Sequence, residues 1–312
     1  MSESKKLEIK KSLKDLNKHY LKLGFTLENL ESEIAESNFK RYFIIFTVFI
    51  TSVSVLYEFQ CVNTAINYVL GIRCILPNNY IIWAATRPIA TCDFCENLTS
   101  PLVLSNVSQE EFSKYAYTSK PILIKGTFLH WPAMHVFTLK YFQELYAKIE
   151  QQQNRSAEEG CQFLHFNSDF ISLRDVLSMS KQRSLKVPKE KSWYVGWGNC
   201  DPAILQEMRK HYPKPHFLPE DSENPSTDYI FMGYDEGATL HHDFINRLMW
   251  QAQLQGSKIW HLLPPPECQE VCSKFSFLVE PGDAVLVDTR VWYHATTVNP
   301  GYLSLSIHSE YG

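Results

Sequence analysis

His241-His242-Asp243 and, about fifty residues later, Trp292-Tyr293-His294 limit what this chain can fold into more than any other part of it. Two imidazoles and one carboxylate are the donor set that grips a non-haem Fe(II) on one face and leaves the opposite face open. In an extended strand side chains alternate, so His241 and Asp243 share a face while His242 points away. The third ligand must come from a strand near in space but remote in sequence. The residues around His294 read that way: Glu280-Pro281-Gly282-Asp283 is a turn, Ala284 to Val287 is a short buried strand, and Tyr302 to His308 alternates. Leu303, Leu305 and Ile307 fall on one face of that last segment, and Ser304, Ser306 and His308 on the other. Shifting the ligand register by one would put Phe244 where the carboxylate belongs, so His241, Asp243 and His294 are the predicted metal ligands.

A centre of this type needs a chelating co-substrate and an anchor for its far end. For 2-oxoglutarate that anchor is a buried cation with a hydrogen-bonding partner. Trp250 to Leu263 reads as a strand, a turn at Gln255-Gly256 and a second strand carrying Lys258, and no Lys or Arg follows Arg290. Lys258 is therefore the leading candidate, the alternative being a solvated lysine at a strand end.

These motifs together resemble the Jumonji-C, cupin-like branch of the Fe(II)/2-oxoglutarate oxygenases. The matching positions are His241, Asp243, Gly256, Lys258, Trp260 and Pro264-Pro265, then Pro281-Gly282-Asp283, Trp292-Tyr293 and His294. Upstream, Phe112, Tyr115, the run PILIKG from Pro121, Trp131-Pro132-Ala133 and the strand Asp228 to Gly233 extend the likeness over residues 103–312. The resemblance implies an all-β core with flanking helices, a double-stranded β-helix (jelly roll). It implies iron on His241, Asp243 and His294, and the C5 carboxylate of 2-oxoglutarate on Lys258. Gln251 and Ser306 stand where relatives place polar groups toward the co-substrate. It further implies a dioxygenase, in the hydroxylase mode, with ascorbate as reductant. Only residues 269–279 separate Cys268 from the next strand end, so loops that recognise substrate in larger relatives are short or absent. Two other readings stay open: a cupin-fold binding module without catalysis, and a cupin enzyme that makes no use of 2-oxoglutarate.

The chain ahead of residue 103 belongs to something else. Residues 42–57 are uncharged and apolar, at the short end of a bilayer span. Lys40-Arg41 precedes them and no basic residue follows until Arg73, which predicts a type II signal anchor in the endoplasmic reticulum or Golgi membrane, with the C-terminal domain lumenal. The alternative is a buried helix of a soluble domain. Before the anchor, residues 1–41 form a cytosolic tail. There Ile9, Leu13, Leu16, Tyr20, Leu23, Leu27, Leu30 and Ile34 alternate spacings of four and three, which fits a short dimeric coiled coil or a helix lying on a membrane or partner. Residues 58–102 read as a stem.

Charge and cysteines agree with a lumenal domain. The net charge of −4 does not favour nucleic acid; with the site placed in the lumen, the substrate is expected to be a lumenal protein or small molecule, and the sequence does not choose between protein side chain, glycan and small molecule. Sequons stand at Asn97, Asn106 and Asn154, while Asn224 is disqualified by Pro225. All eight cysteines follow the anchor and read as disulfides. Cys92/Cys95 and Cys268/Cys272 are close enough to pair locally. A zinc site built from both pairs is the rival.

Overall fold

The computed structural model describes residues 3–24, 38–52, 87, 89–154, 156–158, 160–223, 225–243 and 245–312. Contacts divide the chain into two units, Met1–Arg87 and Pro88–Gly312.

In the first unit Glu3–Lys22 is a helix, with Ile9, Leu13, Leu16 and Tyr20 exposed along it and Leu23 exposed in the turn that follows. The remaining heptad positions, Leu27, Leu30 and Ile34, lie outside the described residues. Residues 38–52 are helical and exposed. The last five residues of the predicted span lie outside the described residues, as do residues 58–86 of the stem with Cys61 and Cys74. Among the described residues no helix is long and apolar enough to cross a membrane.

In the second unit the chain passes back and forth between two sheets. Strands β1 (Leu102–Ser105), β2 (Ile122–Lys125), β3 (Phe163–Leu164), β4 (Trp193–Asn199), β5 (Asp228–Tyr234), β6 (Leu248–Gln255), β9 (Ala284–Val287) and β11 (Ser304–Tyr311) form the large sheet, in the order β1-β2-β9-β6-β11-β5-β4-β3. The small sheet has the order β10-β7-β8, from β7 (Lys258–Leu263), β8 (Phe275–Val279) and β10 (Tyr293–Val298). From β5 onward the strands are shared between the two sheets, antiparallel throughout, and this is the jelly-roll arrangement expected. The turn at Gly256 throws β6 of one sheet into β7 of the other. Gly256 has φ +61°, and a Cβ there would stand 2.3 Å from the Leu303 carbonyl oxygen, so the turn requires glycine.

Alternation along β6 and β11 sorts the interior. Trp250, Ala252, Leu254, Leu305, Ile307 and Tyr311 face outward into a core shared with the flanking helices. Met249, Val285, Val287, Trp260 and Leu262 belong to a second core, together with Trp292 and three cysteines. Burying each large side chain is worth roughly 1.5–3 kcal/mol. These apolar layers fix the register that turns Gln251, Gln253, Ser306 and His308 inward, since a slip of one residue would reverse every one of them.

The second unit begins ahead of the predicted boundary at residue 103. Residues 89–102, assigned above to the stem, pack on the barrel. A 3₁₀ turn at Cys92–Phe94 is tied to the β7–β8 connection by disulfides Cys92–Cys268 and Cys95–Cys272, and Cys161–Cys200 joins the β3 and β4 ends. Pairing therefore runs across the two clusters and not within each. That consumes the sulfurs on which the zinc alternative depended. Ser108 caps a short helix, Gln109–Ser113, its Oγ accepting from the Glu111 amide.

Candidate metal and co-substrate site

His241 does not lie in a full strand, contrary to the sequence reading. It makes a single antiparallel bridge with His294 at the edge of the small sheet. The backbone then leaves that ladder, and the Asp243 amide, two residues on, donates to the Thr289 carbonyl. The alternation survives all the same: His242 turns away and its ring meets the Arg290 carbonyl. His241 Nε2 lies 3.3 Å from Asp243 Oδ1, and His294 Nε2 lies 3.7 Å from Asp243 Oδ2. The three ligand atoms all fall within 4.8 Å of one another. Neighbouring ligands of one first-row ion at about 2.1 Å stand roughly 3 Å apart, so the set closes on such an ion with small movements.

Both imidazoles are set for this role. His241 Nδ1 donates to the Thr239 carbonyl at 2.6 Å and His294 Nδ1 to the Trp292 carbonyl at 3.3 Å, which leaves each Nε2 lone pair facing Asp243. Trp260 stacks on His294 at 5.5 Å and 18°, holding the ring plane. Burial disfavours charge on Asp243, but the two imidazoles outweigh it and hold its carboxyl well below the usual range. Burial pushes the pKa of His294 down to about 4, while that of His241 is raised by Asp243 against the opposing effect of burial.

Deeper in the barrel lies Lys258, with no exposed surface. Its ammonium donates to Ser306 Oγ at 2.8 Å and lies 3.4 Å from the Tyr194 hydroxyl. No carboxylate pairs with it among the described residues. Desolvation alone lowers its pKa to about 7. The surface-lysine reading is thereby excluded. Gln251 is buried on the same inward face, and its Oε1 has no hydrogen-bond partner among the described residues. A buried cation without an anion and, opposite His308 on the neighbouring strand, a buried amide oxygen without a partner are polar groups that the described residues leave unsatisfied.

Of the six residues that the sequence singled out, the structure brings His241, Asp243 and His294 together and joins Lys258 to Ser306, while Gln251 stands opposite His308 on the neighbouring strand. Two more were missed. His308, which the sequence reading gave no role at the site, is buried on the inner face of β11, where burial pushes its pKa down to about 4. Its signal was available, because the alternation that selected Ser306 puts His308 on the same face. Tyr194 had no such signal: β4 reaches Lys258 only because it pairs with β5 across the sheet.

Residues 108–274 match the family model of the cupin-like domain. Those residues include His241, Asp243 and Lys258, while His294 and Ser306 follow them. The chain is similar to the lysine-specific demethylase JMJ21 of Arabidopsis thaliana, 27% identical over 172 residues, 51% of this chain and 16% of that relative. It is also similar to the arginine-specific demethylase JMJ22 of Arabidopsis thaliana, 22% identical over 161 residues, 51% of this chain and 30% of that relative. The matches therefore span less than a third of either relative.

Proposed function

The chain belongs to the Jumonji-C, cupin-like family, whose members use Fe(II) and 2-oxoglutarate, and from that premise we propose that it hydroxylates a substrate held at the mouth of its barrel. One observation carries this reading. The tautomer-set triad His241, Asp243 and His294 shares its barrel with a buried lysine that has hydroxyl partners and no carboxylate among the described residues.

Each residue has a distinct task. The triad would hold Fe(II), which with bound 2-oxoglutarate supplies dioxygen activation coupled to loss of CO₂ and formation of succinate. Lys258 and Ser306 would receive the distal carboxylate, and the Lys258 charge would then be matched within a dry pocket. Gln251 would offer its amide to the same co-substrate. Trp260 and the carbonyls of Thr239 and Trp292 keep the imidazoles aimed. Ascorbate would maintain the ferrous state between turnovers.

A membrane-anchored, lumenal placement in the endoplasmic reticulum or Golgi is part of the proposal. Three disulfides support it, since such bridges persist in oxidising compartments. So do the sequons: Asn97, Asn106 and Asn154 are all exposed and occupy turns with positive φ, clear of any ladder. The substrate would then be a lumenal protein or small molecule.

The test is succinate release by the purified chain with Fe(II), ascorbate and 2-oxoglutarate. Turnover that disappears in His241→Ala is the expected result. Failure of the wild type to bind 2-oxoglutarate while it binds metal would end the co-substrate assignment. Placement is checked separately, by protease protection in microsomes and by loss of an endoglycosidase-sensitive mass shift in Asn97→Gln, Asn106→Gln and Asn154→Gln.

A further inference from the structure

Phe94 lies between two covalent ties. Cys92, two residues before it, is bonded to Cys268, and Cys95, next to it, to Cys272. Glu96 then adds an antiparallel bridge with Cys272. A ring on a segment pinned this closely has little room to move relative to the barrel. Phe94 meets the indole of Trp292 edge-on, with ring centres 5.4 Å apart and planes at 89°. Phe275 packs against the same indole at 5.6 Å and 69°, and the indole N–H donates to the Ser119 carbonyl at 3.0 Å. Trp292 has no exposed surface and is part of the second core, and these three contacts help to fix the ring within it.

That backbone carries the connection to the metal site. The Trp292 carbonyl is the acceptor for His294 Nδ1–H. It decides which His294 nitrogen keeps its proton and where the other one points. At 3.3 Å the bond is long for N–H···O, so a small rotation of the peptide weakens it steeply.

We propose that Phe94, stapled by the two disulfides, is a positioning residue for the distal metal ligand, acting on His294 through the side chain and carbonyl of Trp292. The proposal rests on the metal assignment made above. It extends the metal centre's support to a segment that precedes the matched domain and whose cysteines would otherwise read as a simple surface clamp. Physically, a histidine on a sheet edge needs its second nitrogen held, and here the holder is a carbonyl whose own residue is fixed from outside the sheet.

The experiment titrates the full chain with Co(II) alone, in wild type, Phe94→Ala, Phe94→Tyr and the bridge variant Cys92→Ser/Cys268→Ser. Thiol counting confirms the bridge state and thermal unfolding is followed in parallel. Loss of a supporting partner of a metal-bound histidine weakens metal affinity about 10- to 100-fold, and Phe94→Ala should reach roughly the lower figure. Phe94→Tyr should bind as the wild type does, and the bridge variant should fall between. A Phe94→Ala chain that binds Co(II) with wild-type affinity overturns the proposal, however its melting temperature moves. If that variant fails to fold, unchanged affinity in the bridge variant overturns it instead. A wild type that binds no Co(II) would refute the metal assignment and not the role of Phe94 alone.

Discussion

Asp228 and Lys258 are both buried charges, and β11 serves each of them with a serine hydroxyl from opposite faces. Asp228 receives Arg209 Nε at 2.8 Å, Arg209 Nη2 at 3.1 Å, the Tyr212 hydroxyl at 2.8 Å and the Ser309 hydroxyl. Its charge is fully answered by the chain. Lys258 has Ser306 and a distant tyrosine, and no anion among the described residues. A buried charge costs several kcal/mol unless it is paired, so the first site stabilises the fold and the second is costly until a carboxylate arrives. The difference separates a structural ion pair from a binding group within one barrel.

The largest expected effect breaks the first half of this contrast. Arg209→Met leaves Asp228 buried without its ion-pair partner and should cost about 3–5 kcal/mol of folding stability, measured by denaturant unfolding, with 2-oxoglutarate affinity unchanged. Lys258→Met should do the reverse. Co-substrate affinity should fall on the order of 100-fold, a loss of about 2.7 kcal/mol, while the melting temperature holds or rises; a clear fall in stability would mean that Lys258 is structural after all.

Protonation sharpens the comparison further. Burial brings the Lys258 pKa down to about 7, so below that pH the lysine is already charged when the carboxylate binds. Above it, binding must take up a proton. The dissociation constant for 2-oxoglutarate should therefore rise about tenfold per pH unit above 7, by calorimetry with the metal held constant, and the rise should vanish in Lys258→Met. Ser306→Ala is the smallest change: losing one hydrogen bond of about 1 kcal/mol should weaken co-substrate binding roughly fivefold without altering that pH slope.

Much of this was readable along the chain because strands announce themselves by alternation. Ala284 to Val287 and the Gln255-Gly256 turn emerged as expected, and the strand from Asp228 differs by one residue at its end. His242 turned away as a period of two requires. The alternation held at Asp243 as well, but the strand assumed there did not form: a single bridge at His241 replaces a ladder, and the Asp243 amide is taken by Thr289 in a connection that no periodicity describes. The crossed disulfides were equally illegible. Local spacing allowed Cys92 to pair with Cys95, whereas the actual partners lie 176 and 177 residues away.

The sequence by itself determined the ligand types, the inward faces of β6 and β11 and the presence of one cation in the C-terminal strands. Each of these follows from identity and local period, which are properties of neighbouring residues. Only the tertiary structure decided that Lys258 is buried without an anion among the described residues, that Tyr194 and His308 join it, and that Phe94 backs the strand carrying His294. Burial, partner distance and tautomer depend on which distant segments meet, and those meetings are set by sheet pairing and packing across the whole barrel.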